Sequence, residues 1–207
     1  MILCDVGNSR MHFFDGGKPL HLTFDEGLGR YGDEVVYFIC VNGKIAPRIS
    51  KEAPGWIDLS EYRMLHSDYR GLGIDREAAC LGAWDGVVID AGSAITVDVM
   101  ERGLHKGGWI WPGISSFKEA YAGISPKLAV GIDPGVDITS LPKDTESAVS
   151  FAVLAPVKRL VEYFAPQFDI TITGGDAHIF APLFPEAKVD ELLVFKGMEK
   201  MIKEKRC

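Results

Sequence analysis

The sequence predicts an α/β protein made of two similar lobes. The motif Asp5-Val-Gly-Asn-Ser near the N-terminus is nearly repeated as Asp90-Ala-Gly-Ser-Ala in the middle of the 207-residue chain, and each copy separates two short apolar runs. In each half, strand-like segments come first and helix-like segments follow, which is typical of α/β domains. The boundary is expected near Asp85-Gly86, which gives predicted lobes of residues 1–86 and 87–207.

Four short segments in the first lobe are apolar and rich in β-branched or aromatic residues, which favours strands. They are residues 1–6, 11–15, 21–24 and 35–41, and the first three are expected to be antiparallel. Residues 44–51 and 75–82 are predicted helices.

The second lobe is expected to repeat this plan with strands at 87–90, 94–100 and 104–111. A long helix is predicted from Asp144 or Thr145 to residue 164, broken or kinked near Pro156 because proline removes a backbone donor. A strand at 170–173, a Gly174-Gly175 turn, a short helix from Asp176, a strand near 189–194 and a closing helix complete the prediction.

The composition restricts the class of partner and the compartment. The chain is 47% hydrophobic and its formal net charge is -7, with Lys and Arg scattered except in the terminal segment 200–206. Nucleic-acid binding depends largely on basic surface, so we expect no nucleic-acid partner. A charged residue occurs too close to the start of the chain for a signal peptide, and no apolar run is long enough to cross a bilayer. We therefore expect a cytoplasmic protein without a membrane partner.

The cysteines agree with that compartment. Cys4, Cys40, Cys80 and Cys207 are far apart and form no Cys-x-x-Cys pair. This spacing predicts reduced, mostly buried thiols, with neither a zinc site nor a disulfide framework.

The two glycine turns indicate phosphate binding. A backbone without bulky side chains can approach a phosphate while neighbouring N–H and O–H groups donate to it. The alternative to phosphate binding is that both segments are ordinary hairpin turns. In that case Asp5 forms an Asx-turn, and Asp90 and Thr96 make hydrogen bonds only to the hairpin backbone. Similarly, Asp75 could simply be the N-cap of a helix with Arg76 on its surface.

Five motifs in a fixed order give the chain a wider resemblance. They are Asp5-Val-Gly-Asn-Ser, Gly73-Ile-Asp-Arg76, Asp90-Ala-Gly-Ser93 with Thr96, Gly107-Gly-Trp-Ile-Trp-Pro-Gly113, and Thr173-Gly-Gly-Asp-Ala177. Together they resemble the type III pantothenate kinases of the actin, sugar-kinase and chaperone-ATPase superfamily. The resemblance implies two duplicated actin-like (ribonuclease H-like) lobes, a nucleotide site in the cleft between them, and ATP-dependent phosphorylation of pantothenate, the first step of coenzyme A synthesis.

The resemblance also implies how ATP and its cations are bound. Asp5 would bind Mg²⁺, and Asp90 would bind a monovalent cation, K⁺ or NH₄⁺. Ser93 occupies a position where the family has a threonine, and serine retains the hydroxyl group. The implied ATP-binding residues are Asp5, Val6, Gly7, Asn8, Ser9, Arg10, Met11, His12, Ser93, Thr96, Gly174 and Gly175.

For pantothenate, the resemblance implies that Asp75 is the catalytic base and that Arg76 binds the substrate carboxylate, with Gly73 and Ile74 beside them. Tyr69 matches a substrate-contacting tyrosine, although its distance from the motif is shorter than in the family; Tyr62 or neither residue is the alternative. Thr145 would reach pantothenate from the neighbouring subunit of a homodimer. The helix that follows it, from Ala148 to Ala155, has small residues where the family usually has a glycine.

Two other functions are compatible with these residues. One is a kinase or phosphatase of the same superfamily that acts on another acceptor. The other is a regulatory relative that has lost catalysis, because a fold alone does not define an activity.

Overall fold

A computed structural model describes residues 1–205, and its backbone divides into two compact units. Unit 1 contains residues 1–84, 101–106 and 192–205, whereas unit 2 contains residues 85–100 and 107–191. The boundaries of these units differ from the single division after residue 86 that the sequence predicts, because the closing helix packs in unit 1. Arg206 and Cys207 lie outside the described residues, as do the expectations made for them in the basic tail and among the thiols.

Unit 1 contains a five-stranded sheet with the order β3-β2-β1-β4-β5. Strands β1 and β2, and strands β2 and β3, are antiparallel as predicted, whereas β4 is parallel to β1 and β5 is parallel to β4. A short strand, β6, pairs in parallel with Leu104 and His105 of the same unit. The strands are β1 (Ile2–Val6), β2 (Met11–Phe14), β3 (Leu20–Leu22), β4 (Val36–Cys40), β5 (Ile57–Asp58) and β6 (His66–Ser67).

Two helices of unit 1 pack so closely that only glycine fits between them. A Cβ atom on Gly197 would collide with the Ala78 carbonyl, and one on Gly82 would collide with the Leu193 carbonyl. The contact joins α3 to the closing helix, which is why the last segment of the chain belongs to unit 1. The helices of this unit are α1 (Phe24–Tyr31), α2 (Ala46–Glu52), α3 (Ile74–Ala83) and the closing helix, α7 (Leu193–Lys205).

Unit 2 repeats the sheet of unit 1. The order β9-β8-β7-β10-β11 corresponds strand by strand to β3-β2-β1-β4-β5. The central strand β7 again has an antiparallel hairpin partner, β8, and a parallel partner, β10. The predicted duplication is therefore confirmed. The strands are β7 (Gly86–Ala91), β8 (Ala94–Glu101), β9 (Leu104–Pro112), β10 (Ile170–Thr173) and β11 (Lys188–Val189), and the helices are α4 (Ile114–Ile124), α5 (Thr145–Phe164) and α6 (Ala177–Phe180).

Three sequence predictions are wrong in detail. The strand expected at 189–194 is limited to Lys188–Val189, because Leu193 already begins α7. The third strand ends at Leu22, since Phe24 begins α1 after a Thr23 cap. Of the break or kink predicted near Pro156, the break is wrong, because helix α5 runs through that residue. The side chains before and after that proline, including Val153, Leu154 and Val157, are buried in the core of unit 2, and this burial offsets the lost hydrogen bond.

The described cysteines agree with the sequence prediction of mostly buried thiols. Cys4 and Cys80 are buried, and Cys40 is half-buried. Between residues 1 and 205, the structure contains no helix whose length and apolar character would allow it to cross a bilayer.

Candidate active site

The first glycine turn of unit 1 connects the central strand β1 to β2. The Gly7 N–H donates to the Arg10 carbonyl at 3.0 Å and closes the turn. Asn8, Ser9 and Arg10 are exposed, so the tip of the turn offers backbone and side-chain donors to solvent. Such a turn can bind an anion.

Asn42 ties this turn to the end of β4 and was not expected from the sequence. Its Nδ2 donates to the Asn8 carbonyl at 3.1 Å, and its Oδ1 accepts from the Lys44 N–H at 3.0 Å. The signal was the Asn-Gly pair directly after a strand, which marks a turn but does not reveal the partner across the sheet.

Two histidines continue the row of side chains that begins at Asp5. Asp5 of β1 lies opposite His12 of β2, which lies opposite His21 of β3. The Nδ1 atoms of His12 and His21 are 2.5 Å apart. Burial, with smaller contributions from the charges of His21 and Arg10, lowers the pKa of His12 to about 4. His12 is therefore neutral at pH 7 and can donate from only one ring nitrogen.

Unit 2 brings the second glycine turn and the predicted adenosine turn together. Asp90 of β7 is paired with Thr173 of the parallel strand β10, so both turns leave the same edge of the sheet. The Asp176 N–H donates to the Ala91 carbonyl at 2.9 Å. Gly174 has φ +89°, and a Cβ there would collide with the Ala91 carbonyl. Glycine is thus required where the two turns meet.

A third motif packs against the same turn. The Gly113 N–H donates to the Ser93 carbonyl at 3.2 Å, and a Cβ on Gly113 would collide with the backbone of Gly92 and Ser93. Thr96 is opposite Asp90 in the β7–β8 hairpin and is buried, whereas the Ser93 side chain is exposed. Three of the motifs recognised in the sequence therefore meet at one edge of the unit 2 sheet.

The Gly-Ile-Asp-Arg motif forms the start of α3. Gly73 is the N-cap, so Asp75 lies inside the first turn and the alternative that made it the cap is wrong. A Cβ on Gly73 would collide with the Asp75 carboxylate in its present orientation, so a larger residue there would require the carboxylate to move. Arg76 is only 4% exposed, so it is not the surface residue of that alternative.

Tyr69 lies beside this motif, and Tyr62 does not. The Arg76 guanidinium carbon is 4.7 Å from the centre of the Tyr69 ring, which is within cation–π range. The Tyr62 ring instead contacts the Lys205 ammonium of α7 at 5.6 Å. The structure therefore brings Tyr69, rather than Tyr62, to the predicted substrate residues.

A buried carboxylate fixes the segment that leads to Tyr69. Glu77 is 3% exposed and accepts from the backbone N–H groups of Met64 and Leu65 at 2.6 and 3.0 Å. Its other oxygen accepts from Arg63, which also donates to the Leu72 carbonyl. These bonds hold the chain before α3 in one conformation. They were not predictable from sequence, because the partners are 12 to 14 positions away.

Thr145 lies at the first position of α5 in unit 2. The helix is capped by Asp144, whose carboxylate accepts from the Ser147 N–H at 2.9 Å. Thr145 is exposed, so its hydroxyl is available for contact with another molecule.

The sequence is similar to that of a known protein family over much of its length. A family model described as type III pantothenate kinase matches residues 46–167. The type III pantothenate kinase of Helicobacter hepaticus is 40% identical over 209 aligned residues, which cover 99% of both chains.

Solved structures agree on the fold. A Campylobacter jejuni protein assigned to the Baf family of transcriptional activators is 38% identical, has a TM-score of 0.88 and is matched over 100% of this chain and 99% of its own. A Sinorhizobium meliloti protein assigned as a 2-dehydro-3-deoxygalactonokinase has a TM-score of 0.61 over 98% of both chains but is only 8% identical, so it is similar in fold alone.

Proposed function

The chain belongs to the type III pantothenate kinase family, and we propose that Asp75 is the base of its reaction, the ATP-dependent phosphorylation of pantothenate that begins coenzyme A biosynthesis. The observation that carries the assignment is the start of α3. There a glycine cap leaves room for the Asp75 carboxylate beside the buried Arg76. A carboxylate next to a fixed cation is suited to an alcohol acceptor that also carries an acid group.

The reaction needs one proton acceptor. The primary hydroxyl oxygen of pantothenate forms a bond to the γ-phosphorus while the bond from that phosphorus to the β–γ bridging oxygen breaks. ADP leaves, and Asp75 orients the hydroxyl and takes its proton. A positioned base of this kind contributes on the order of 10²- to 10⁴-fold to the rate.

Arg76 and Tyr69 recognise the other end of the acceptor. The guanidinium can donate two parallel hydrogen bonds to the pantothenate carboxylate, and the Tyr69 ring under it limits its orientation. Gly73 and Ile74 lie beside the carboxylate of the base at the beginning of α3. A substrate without the carboxylate, such as pantothenyl alcohol, should therefore be a poor acceptor.

ATP is assigned to the glycine turns. Residues 5–12 are proposed to bind its phosphates, as are Ser93 and Thr96, while Gly174 and Gly175 accommodate the adenosine. The meeting of the Asp90 turn with the Gly174 turn in unit 2 supports this assignment.

Two cations are proposed to accompany ATP. The half-buried Asp5 carboxylate suits Mg²⁺, which is bound in proteins by one or two carboxylates together with water and phosphate oxygens. Mg²⁺ would neutralise charge on the phosphates. The half-buried Asp90 is the proposed ligand of K⁺ or NH₄⁺.

We assign the active form as a homodimer in the cytoplasm. Thr145 is exposed at the first turn of α5, where its hydroxyl could complete a neighbouring subunit's pocket. Unit 2 also exposes large apolar side chains that a second copy would cover, namely Ile110, Ile124, Leu160, Tyr163 and Phe164.

The test is an ADP-release assay with ATP, Mg²⁺ and pantothenate, in KCl and in NaCl. Asp75→Asn should lower kcat by roughly 10²- to 10⁴-fold while the melting temperature is retained. Asp68→Asn, an exposed aspartate on the preceding segment, is the matched control and should behave as the wild type. Near-normal turnover of Asp75→Asn would refute the assignment, and equal rates in both salts would remove the K⁺ role of Asp90.

The assay also separates the other functions. Turnover with a sugar or another alcohol but not with pantothenate would indicate a different acceptor. ATP binding without turnover on any acceptor would favour a regulatory protein, as the name given to the Campylobacter jejuni structure suggests for that protein.

A further inference from the structure

Tyr69 contacts a second aromatic ring besides making its contact with Arg76. The His105 ring lies 5.9 Å from the Tyr69 ring, centroid to centroid, with a 60° angle between the planes. His105 is only 6% exposed, although its sequence neighbours Leu104 and Lys106 are exposed. A buried imidazole in such a short exposed segment requires polar partners.

Ser67 supplies one such partner and joins His105 to the Tyr69 backbone. The Ser67 hydroxyl oxygen is 2.6 Å from His105 Nδ1, and the same oxygen accepts from the Tyr69 N–H at 3.0 Å. Ser67 and His105 are also directly paired between β6 and β9. The two residues thus hold Tyr69 at its backbone and at its ring.

The Ser67 hydroxyl can make both of these contacts at once. A serine oxygen can accept one hydrogen bond and still donate its single proton. The Ser67 oxygen accepts from the Tyr69 N–H, and its contact with His105 Nδ1 links the Tyr69 backbone to the imidazole ring.

From this geometry we infer that Ser67 and His105 are positioning residues for the substrate site: they fix Tyr69 beneath Arg76 and so set the affinity for the acidic end of the acceptor. This inference rests on the proposed function, in which Arg76 binds that carboxylate. Neither Ser67 nor His105 touches the reacting atoms. Their loss should therefore weaken binding of the acceptor without removing the base.

The first measurement is steady-state kinetics of Ser67→Ala against wild-type protein. Loss of the two hydrogen bonds of the Ser67 hydroxyl should raise KM for pantothenate by roughly fivefold. The values of kcat and of KM for ATP should stay within about twofold, because the base and the glycine turns are unchanged. Ser67→Thr keeps the hydroxyl and should restore the wild-type KM. His66→Ala, an exposed side chain on the same strand, is the matched control.

The second measurement asks whether the pair acts through Tyr69. In a Tyr69→Ala background, Ser67→Ala should produce no additional rise in KM for pantothenate. An equal rise in both backgrounds would overturn the inference, as would an unchanged KM in Ser67→Ala alone. A parallel rise of both KM values together with a lower melting temperature would mean a general effect on folding and would also overturn it. If the wild-type protein does not phosphorylate pantothenate, the proposed function itself is refuted. This outcome is distinguishable from failure of the inference about Ser67 and His105, which requires an active wild-type protein.

Discussion

At the scale of single residues, the contacts of Arg76 define the substrate end of the candidate site. A guanidinium that is 4% exposed loses most of its water and must be compensated by neighbouring groups. Tyr69 provides a ring face, and the proposed substrate would provide a carboxylate.

His12 gives a pH prediction at this scale. Its pKa is about 4 in the folded protein and near 6.5 in an unfolded chain, so between these values the unfolded chain binds a proton that the folded protein does not. The free energy of unfolding should therefore fall as the pH drops from about 6.5 to about 4, by on the order of 1–3 kcal/mol.

Urea unfolding at pH 7 and pH 4.5, without nucleotide, would measure this effect. The His12→Gln variant should lose less stability between the two pH values than the wild type does. His66→Gln, on the exposed side of β6, should follow the wild type. An identical pH dependence in wild type and His12→Gln would show that His12 does not contribute.

At the scale of elements, the packing of α3 on α7 depends on glycine residues, which have no side chain at the helix contact. Gly197→Ala would place a methyl group against the Ala78 carbonyl, so the helices would have to separate. We expect a loss of about 2–3 kcal/mol in the free energy of unfolding, as in an overpacked core. Because Asp75 and Arg76 lie in the first turn of α3, turnover should fall as well.

The matched control is another helical glycine of unit 1. Gly29 of α1 has open space around the position of a Cβ, and Gly29→Ala should stabilise the protein by up to about 1 kcal/mol through helix propensity. Chemical denaturation of both variants checks the comparison. A Gly197→Ala protein as stable as the wild type would contradict this account of the helix pair.

Sequence reasoning identified most elements but missed two helices. Helix α1 begins with a capping box formed by Thr23 and Glu26, and this signal is present in the sequence. Residues 21–24 are nevertheless predicted as a strand, because the segment is short and apolar. Helix α4 begins after Gly113 without a side-chain cap, so its start has no local signature. The closing helix begins within an apolar segment that equally suits a strand, and its true state is decided by packing on α3.

The candidate site was predictable to the extent that it is local in sequence. Gly73, Asp75 and Arg76 lie within four consecutive positions, and the resemblance to the kinase family, rather than their spacing, implied the roles proposed for them. The Ser67–His105 bond joins residues 38 positions apart, and nothing in the spacing of isolated histidines indicates such a partner. Distant pairs of this kind depend on strand register, which the sequence does not specify by itself.

At the scale of the whole molecule, the proposed homodimer gives a prediction that complementation can test. Asp75→Asn and Thr145→Arg homodimers should each be poorly active, since one lacks the base and the other carries a bulky cation where the neighbouring acceptor is proposed to bind. Mixing them under conditions of subunit exchange should form heterodimers with one intact site, and about one quarter of wild-type activity should return if exchange is random.

Two controls accompany the mixture. Each variant incubated alone should stay inactive, and the double variant Asp75→Asn/Thr145→Arg mixed with either single variant should restore nothing. Failure to recover activity in a mixture shown to contain heterodimers would mean that Thr145 does not act across subunits.

The discontinuous composition of unit 1 has a consequence for how the protein is made on the ribosome. Helix α3 is synthesised early, but its partner α7 begins only at Leu193, after all of unit 2. At roughly 5–20 residues per second, the intervening chain takes on the order of 5–20 seconds to emerge. During that time the face of α3 that packs on α7 lacks this partner. The helix that carries the proposed base is thus among the last parts of the nascent chain to complete its native packing. Limited proteolysis of ribosome-bound chains, arrested before and after the α7 segment has emerged, should show α3 becoming protected only in the longer chains.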